Sequence, residues 1–254
     1  MTIKRPPQEA VERLAKAVKG SKRSSTVRLP QVFARDSVSK EPVPPLAELM
    51  QGGGDVRLKV LLTTLMMATK PPHNRKTSSK DLAAMLGLND PDGAGARRVN
   101  KAFADLEKLN LVRRDREPGH VPETTVLNPA GTGKEWSDVR MQRPYITLPI
   151  ALWERGWFIA LSGRAIALLI VLRELTGGRV KNGAWVDGIR KRQYGFSDDT
   201  WTRACRELRE AGLLDVREDV FSSRGEPRRR NNYTLRLDRL ATFDPGEFDP
   251  AKDS

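Results

Sequence analysis

Apolar residues recur at a three-and-four spacing in two stretches of the chain, and each stretch runs into short β-forming segments. Val99, Ala102, Phe103, Leu106 and Leu109 mark the buried face of a helix over 96–109. Trp201, Ala204, Cys205, Leu208 and Ala211 mark a second. Both patterns match one side of a 3.6-residue helix. Ser197, with Asp198 and Asp199, opens the second helix, because a side-chain oxygen at the cap satisfies orphan backbone N–H groups. Gly212 ends it, since glycine takes the left-handed conformation without a Cβ penalty. After the first helix, Leu111-Val112-Arg113-Arg114 predicts a strand, Glu117–His120 a turn and Thr124–Leu127 the return. After the second, Leu213–Val216 predicts a strand, and a loop holding Arg224, Gly225, Pro227 and Arg228-Arg229-Arg230 leads to another around Tyr233–Leu235.

Upstream of each pair lie further helices. Val56–Ala68 is apolar and is stopped by Pro71-Pro72. Thr77-Ser78-Ser79 caps a helix over 80–86 that Gly87 ends, and Asn89–Gly93 reads as an irregular turn. The second set opens at Pro144–Pro149. Leu152–Leu161 places Trp153, Trp157 and Phe158 to anchor a helix that Ser162 caps and that buries Ile166, Leu169, Ile170 and Leu172. Trp185–Tyr194 supplies the helix before the last one. Asp105–Val112 lines up with Glu207–Leu214 at a constant offset of 102, sharing acid, Leu, charge, helix stop and apolar strand. An internal repeat of this length is a fold-level signal. The expected fold class is mainly α with small β-hairpins (α+β), as two helix-turn-helix units with hairpins in tandem. One unit spans 46–128, a Gly- and charge-rich linker 129–143, and the other 144–240.

Charge adds a partner class. The 254 residues carry a formal net charge of +13, with 38% hydrophobic content that is ordinary for a globular protein. That excess points to a polyanion, DNA, RNA or an anionic membrane surface, with nucleic acid favoured. Residues 1–40 hold ten Lys or Arg against Glu9, Glu12 and Asp36. Pro7–Lys19 has helical spacing of Val11, Leu14 and Val18, but 1–45 as a whole reads as a basic arm, flexible until it tracks a DNA backbone. The tail, 241–254, is acidic and reads as solvated by default, with folding back onto a basic surface left open. Cys205 is the sole cysteine, so no internal disulfide is possible, which suits a reducing compartment. Met1–Lys40 has no apolar leader region and Ala165–Leu172 is too short for a bilayer, so the expectation is a cytoplasmic, nucleoid-associated protein without a membrane span.

In a helix-turn-helix the second helix enters the major groove and its outward side chains meet base edges. The outward positions are Arg97, Arg98, Asn100 and Lys101 in the first unit, and Thr200, Thr202, Arg203 and Arg206 in the second. Arginine can bond guanine bidentately and asparagine adenine. The hairpin tips form a second constellation: Arg224, Arg228, Arg229 and Arg230 with Asn231, and more weakly Arg113, Arg114, Arg116 and His120, which Asp115 and Glu117 interrupt. Such arginines enter a minor groove or clamp phosphates. Catalytic patterns fail: Gly131–Lys134 has Asn128 in place of the first glycine of a phosphate loop and Glu135 in place of the magnesium-holding hydroxyl. His73 and His120 fall in different loops, so no metal site, cofactor or catalytic residue is expected.

Over 46–128 and 144–237 the chain resembles the winged-helix superfamily. DLEKLNLVRR and ELREAGLLDV are similar to the end of a recognition helix running into the wing of MarR-like regulators, and the two-unit layout is similar to plasmid replication initiators. The resemblance implies a sequence-specific double-stranded DNA binder, a transcriptional regulator or an origin-binding initiator, with a homodimer or protein partner open. One alternative is an accessory factor for partition, recombination or replication that recruits another protein, for which an exposed apolar patch around Trp153 and Trp157 would argue. A nucleic-acid enzyme is disfavoured by the missing catalytic cluster.

Overall fold

A computed structural model describes residues 3, 5–23, 25–35, 43–136, 144–177, 183–223 and 226–248. The first half contains α1 (Gln8–Ser21), β1 (Thr26–Pro30), α2 (Pro45–Met50), α3 (Asp55–Met67), β2 (Asn74–Lys76), α4 (Ser79–Met85), α5 (Ala96–Lys108), β3 (Val112–Asp115) and β4 (Glu123–Val126). The second contains β5 (Tyr145–Pro149), the short helical turns α6 (Ala151–Glu154) and α7 (Trp157–Ala160), then α8 (Gly163–Thr176), β6 (Ala184–Trp185), α9 (Gly188–Gln193), α10 (Asp198–Glu210), β7 (Leu214–Ser223), β8 (Glu226–Leu235) and α11 (Arg239–Thr242). The fold is mixed α and β, with small antiparallel sheets. One element order, α-β-α-α-β-β, occurs twice, as α3-β2-α4-α5-β3-β4 and α8-β6-α9-α10-β7-β8. Both copies make a sheet with the last strand in the middle: β2-β4-β3 and β6-β8-β7.

The start of the second helical pair and the arm both depart from expectation. Trp185–Tyr194 is not one helix: Trp185 lies in β6, and Asp187 caps α9 by accepting from Arg190 N–H. The arm is folded. Leu14 and Val18 of α1 are buried, and Arg23 donates to the carbonyls of Met66 and Leu65 at 2.8 and 2.9 Å, at the end of α3. The charges of α1 stay outside while its narrow apolar stripe packs inward, so a basic composition conceals an amphipathic helix.

β1 pairs antiparallel with β5, Thr26 opposite Pro149 and Pro30 opposite Tyr145. Both strands read as aliphatic, polar, Leu, Pro after their first residue, so corresponding positions exchange places across the pair. A local two-fold axis passes between Arg28 and Thr147, which face each other. The ribbon ties the arm to the second half. Gln31 and Arg35, just beyond β1, reach buried Glu174 of α8 at 2.5 and 3.6 Å. Tyr194, which follows α9, donates its hydroxyl to the same carboxylate. Burial and the neighbouring Glu174 push the phenol of Tyr194 upward.

Central helices α3 and α8 are apolar around most of their circumference, which suits helices packed on every side. Asp55, first residue of α3, accepts a hydrogen bond from Gly163 N–H at the start of α8. Ser162 donates both its N–H and Oγ–H to Glu207 of α10 at 2.5 Å. Buried side chains from Ile3 to Leu240 form one continuous cluster. In the second half Trp201 sits edge-on to Phe196 and Tyr233, each at 5.5 Å. Such pairs contribute about 0.5–1.5 kcal/mol beyond area burial.

The linker and tail also differ from expectation where they are described. Residues 129–136 fold back on the first half: Asn128 N–H donates to Lys134 O at 2.9 Å, and buried Trp136 lies 5.0 Å from the His73 ring. Residues 137–143 lie outside the described residues. In the tail, Phe248 lies under the Arg239 guanidinium at 4.5 Å and beside Phe243, while Glu247 pairs with Arg5 at 3.5 Å. Gly212, with φ of 71°, is pressed so closely by Phe248 that an added Cβ would come within 2.4 Å of its ring. The acids of 241–248 thus meet arginines instead of water alone; 249–254 lie outside the described residues.

Candidate nucleic-acid interface

α5 is positioned by its buried stripe, Val99, Ala102, Phe103 and Leu106. A π-turn over Pro91–Gly95 leads into it, held by Asp90, whose carboxylate accepts from Gly93 and Ala94 N–H at 3.2 and 2.7 Å. Opposite the stripe, Arg97, Arg98 and Lys101 are exposed and form no ion pair among the described residues. Asn100 is exposed too, but its Oδ1 accepts from Ser79 Oγ at 2.6 Å and from Arg114 Nη1 at 3.5 Å. A bidentate adenine contact uses both ends of the amide. Asn100 would have to release Ser79 to make one.

The hairpin after α5 uses its arginines internally. Arg113 lies 3.9 Å from both Asp115 and Glu135. Arg116 donates to Glu107 on α5, at 3.1 Å to Oε1, which raises its already high pKa. Arg114 is 9% exposed, stacked over the Phe103 ring at 4.4 Å, and burial lowers its pKa. Its alternation with Arg113 and Asp115 along β3 turns it inward. It is therefore not at the hairpin tip; it lines, with Arg97, Asn100 and His120, a notch of about 620 Å³ between α4, α5 and the hairpin.

α10 is held by Ser197, which accepts from Thr200 N–H at 3.2 Å, and by buried Trp201, Ala204, Cys205 and Leu208. Its outward side chains are more committed than those of α5. Thr200 Oγ1 accepts from Ser197 Oγ at 2.9 Å, Thr202 Oγ1 donates to Asp198 O at 2.8 Å, and Arg203 pairs with Asp199 at 3.0 Å. Arg206 is exposed, without an ion pair among the described residues. All four line a groove of about 1290 Å³, whose other wall includes Met50, Gly53, Gly54 and Lys59 of the first half. Lys59 is buried, 3.7 Å from Asp55, and donates to Ile159 O at 3.3 Å. Burial lowers its pKa against the pull of Asp55, and Arg98 adds to the lowering.

The second hairpin is longer than expected. β7 and β8 each run ten residues, so Arg228, Arg229, Arg230 and Asn231 belong to a strand and not to a loop. Their register explains it: Arg230 stands opposite Asp219, while Arg229 and Asn231 face Val220 and Glu218. Arg229 reaches Glu218 at 3.2 Å. Arg230 lies 5.2 Å from the Trp185 ring and 4.6 Å from the Phe221 ring. Arg224 lies outside the described residues, as does the side chain of Arg228. Ser79, Lys80 and Lys59 line the notch or groove without having been singled out in the sequence. The capping serines before 80–86 were the available signal for the first two; nothing in an apolar helix marks Lys59. No protein-family model matches the chain, and neither a curated protein nor a solved structure shows significant similarity to it.

Proposed function

We propose that the chain is a sequence-specific double-stranded DNA-binding protein that uses two winged-helix units, as a transcriptional regulator or an origin-binding initiator. The observation that carries this reading is the solvent face of α5, where Arg97, Arg98 and Lys101 form no ion pair among the described residues and stand immediately before an antiparallel hairpin. The net charge of +13 supports a polyanionic partner, and the twice-used element order supports two reading heads. α5 is the principal reader and α10 the secondary one, because Arg203 and Thr202 are already engaged. The recruiting-factor alternative called for an exposed patch at Trp153 and Trp157, and both are fully buried.

The test is selection of bound duplexes from a random pool, followed by affinity measurements on selected and scrambled duplexes. Arg98→Ala should narrow the gap between them by about 1–3 kcal/mol, the worth of one bidentate guanine contact. A pool that yields no enriched sequence, or an unchanged gap in Arg98→Ala, would refute the reading of α5.

A further inference from the structure

Arg114 presents a problem of charge. It is nine-tenths buried and makes no ion pair among the described residues, and its Nε has no hydrogen-bond partner. The carboxylate that might have served it, Glu107, is bonded to Arg116. An arginine cannot shed its proton near neutral pH, and Glu107, which accepts the Arg114 backbone N–H at 3.2 Å, offsets the desolvation of the side chain only in part, with Arg116 adding repulsion. The guanidinium nonetheless lies over the Phe103 ring at 4.4 Å, with Nη1 3.5 Å from Asn100 Oδ1. It forms part of the wall of the notch between α4, α5 and the first hairpin, where Lys80, Arg97 and His120 also converge and Ser79 supplies a hydroxyl. Asp92 is the one carboxylate lining the notch, and it pairs with Lys80 at 3.3 Å.

We infer that this notch is a phosphate-binding pocket, with Arg114 as its preset floor and Arg97 and Lys80 at its rim. A planar fork suits the paired oxygens of a phosphate better than a mobile ammonium does. The second half lacks these side chains: at the offset of 102, Arg97, Asn100 and Arg114 become Asp199, Thr202 and Val216. The chemistry is therefore a property of one half and not of the repeated fold. The phosphate can be a diester of the DNA backbone or the group of a free phosphorylated molecule. Assigning it to DNA rests on the duplex-binding reading; the pocket itself does not.

The probe is inorganic phosphate, titrated into the full chain against chloride at matched ionic strength and followed by calorimetry. A saturable single site is expected, weakened about tenfold or more in both Arg114→Gln and Arg97→Ala, the scale of losing one charge-assisted hydrogen bond. Arg97 is exposed, so its variant decides the matter if Arg114→Gln fails to fold. No saturable binding, or binding indifferent to Arg97→Ala, overturns the pocket. A second arm uses a selected duplex. Phosphate that weakens duplex binding beyond the chloride control, in wild type but not in Arg97→Ala, assigns the pocket to the DNA backbone. Phosphate that binds while duplex affinity holds assigns it to a free phosphorylated molecule. A protein that binds phosphate and ignores every duplex keeps the pocket and loses only the duplex reading.

Discussion

Replacing Leu14 with Ala separates a folded N-terminal segment from a charged tether. Leu14 has no exposed surface, and α1 packs on α3, α4 and α6, so three elements would have to move to close the gap. Leu→Ala at a buried site costs about 2–5 kcal/mol, the upper part of that range applying where the walls cannot collapse. We expect about 3–4 kcal/mol here, which at about 2–4 °C per kcal/mol for a chain of this size lowers Tm by about 6–16 °C. Lys16→Ala, on the exposed side of the same helix, is the control and should stay within about 0.5 kcal/mol. Thermal unfolding followed by far-UV circular dichroism reads both. If the two variants melt together with wild type, residues 8–21 contribute nothing to the core and the packing argument for the whole segment fails.

Three further outcomes follow from the geometry. Arg229→Ala with Arg230→Ala should weaken binding to every duplex alike and flatten the dependence of affinity on salt, each lost phosphate contact lowering the slope by about 0.9; an unchanged slope means the second hairpin does not touch DNA. Burial pushes the Cys205 thiol up to about 12. In the unfolded chain the thiol ionises near 8.5. Its contribution to stability is therefore complete below about pH 8.5 and is lost as pH rises toward 12, so urea unfolding of wild type, but less so of Cys205→Ala, should weaken across that window; equal curves refute it. Phe248→Ala removes the ring packed on Gly212 and Arg239, and should cost about 1–3 kcal/mol in urea unfolding, whereas a solvated tail would register nothing.

Long elements with one strong period were legible in the chain. The helix read over 56–68 is α3 at Asp55–Met67, that over 96–109 is α5 at Ala96–Lys108, and the one opened by Ser197 is α10. What escaped were features whose cause lies far away in sequence. β1 and β5 are five residues each and mean little until paired. The RRRNN segment reads as a loop because the acids that stabilise it as a strand, Glu218 and Asp219, are supplied by β7. Ordinary composition also misled: ten cations in 1–40 outweighed the spacing of Leu14 and Val18. Among candidate site residues, the exposure of Arg97, Arg98 and Lys101 followed from helical period alone, whereas the inward turn of Arg114 depended on strand alternation and a stacking ring.

Each half of the chain lends one strand to the ribbon of Thr26–Pro30 and Tyr145–Pro149, and the ribbon has the same pattern from either end. A fragment ending near Trp136 would keep one strand and leave its edge naked, a template that an identical fragment can complete. Halves made apart are therefore expected to rejoin when mixed, each restoring the strand the other lacks.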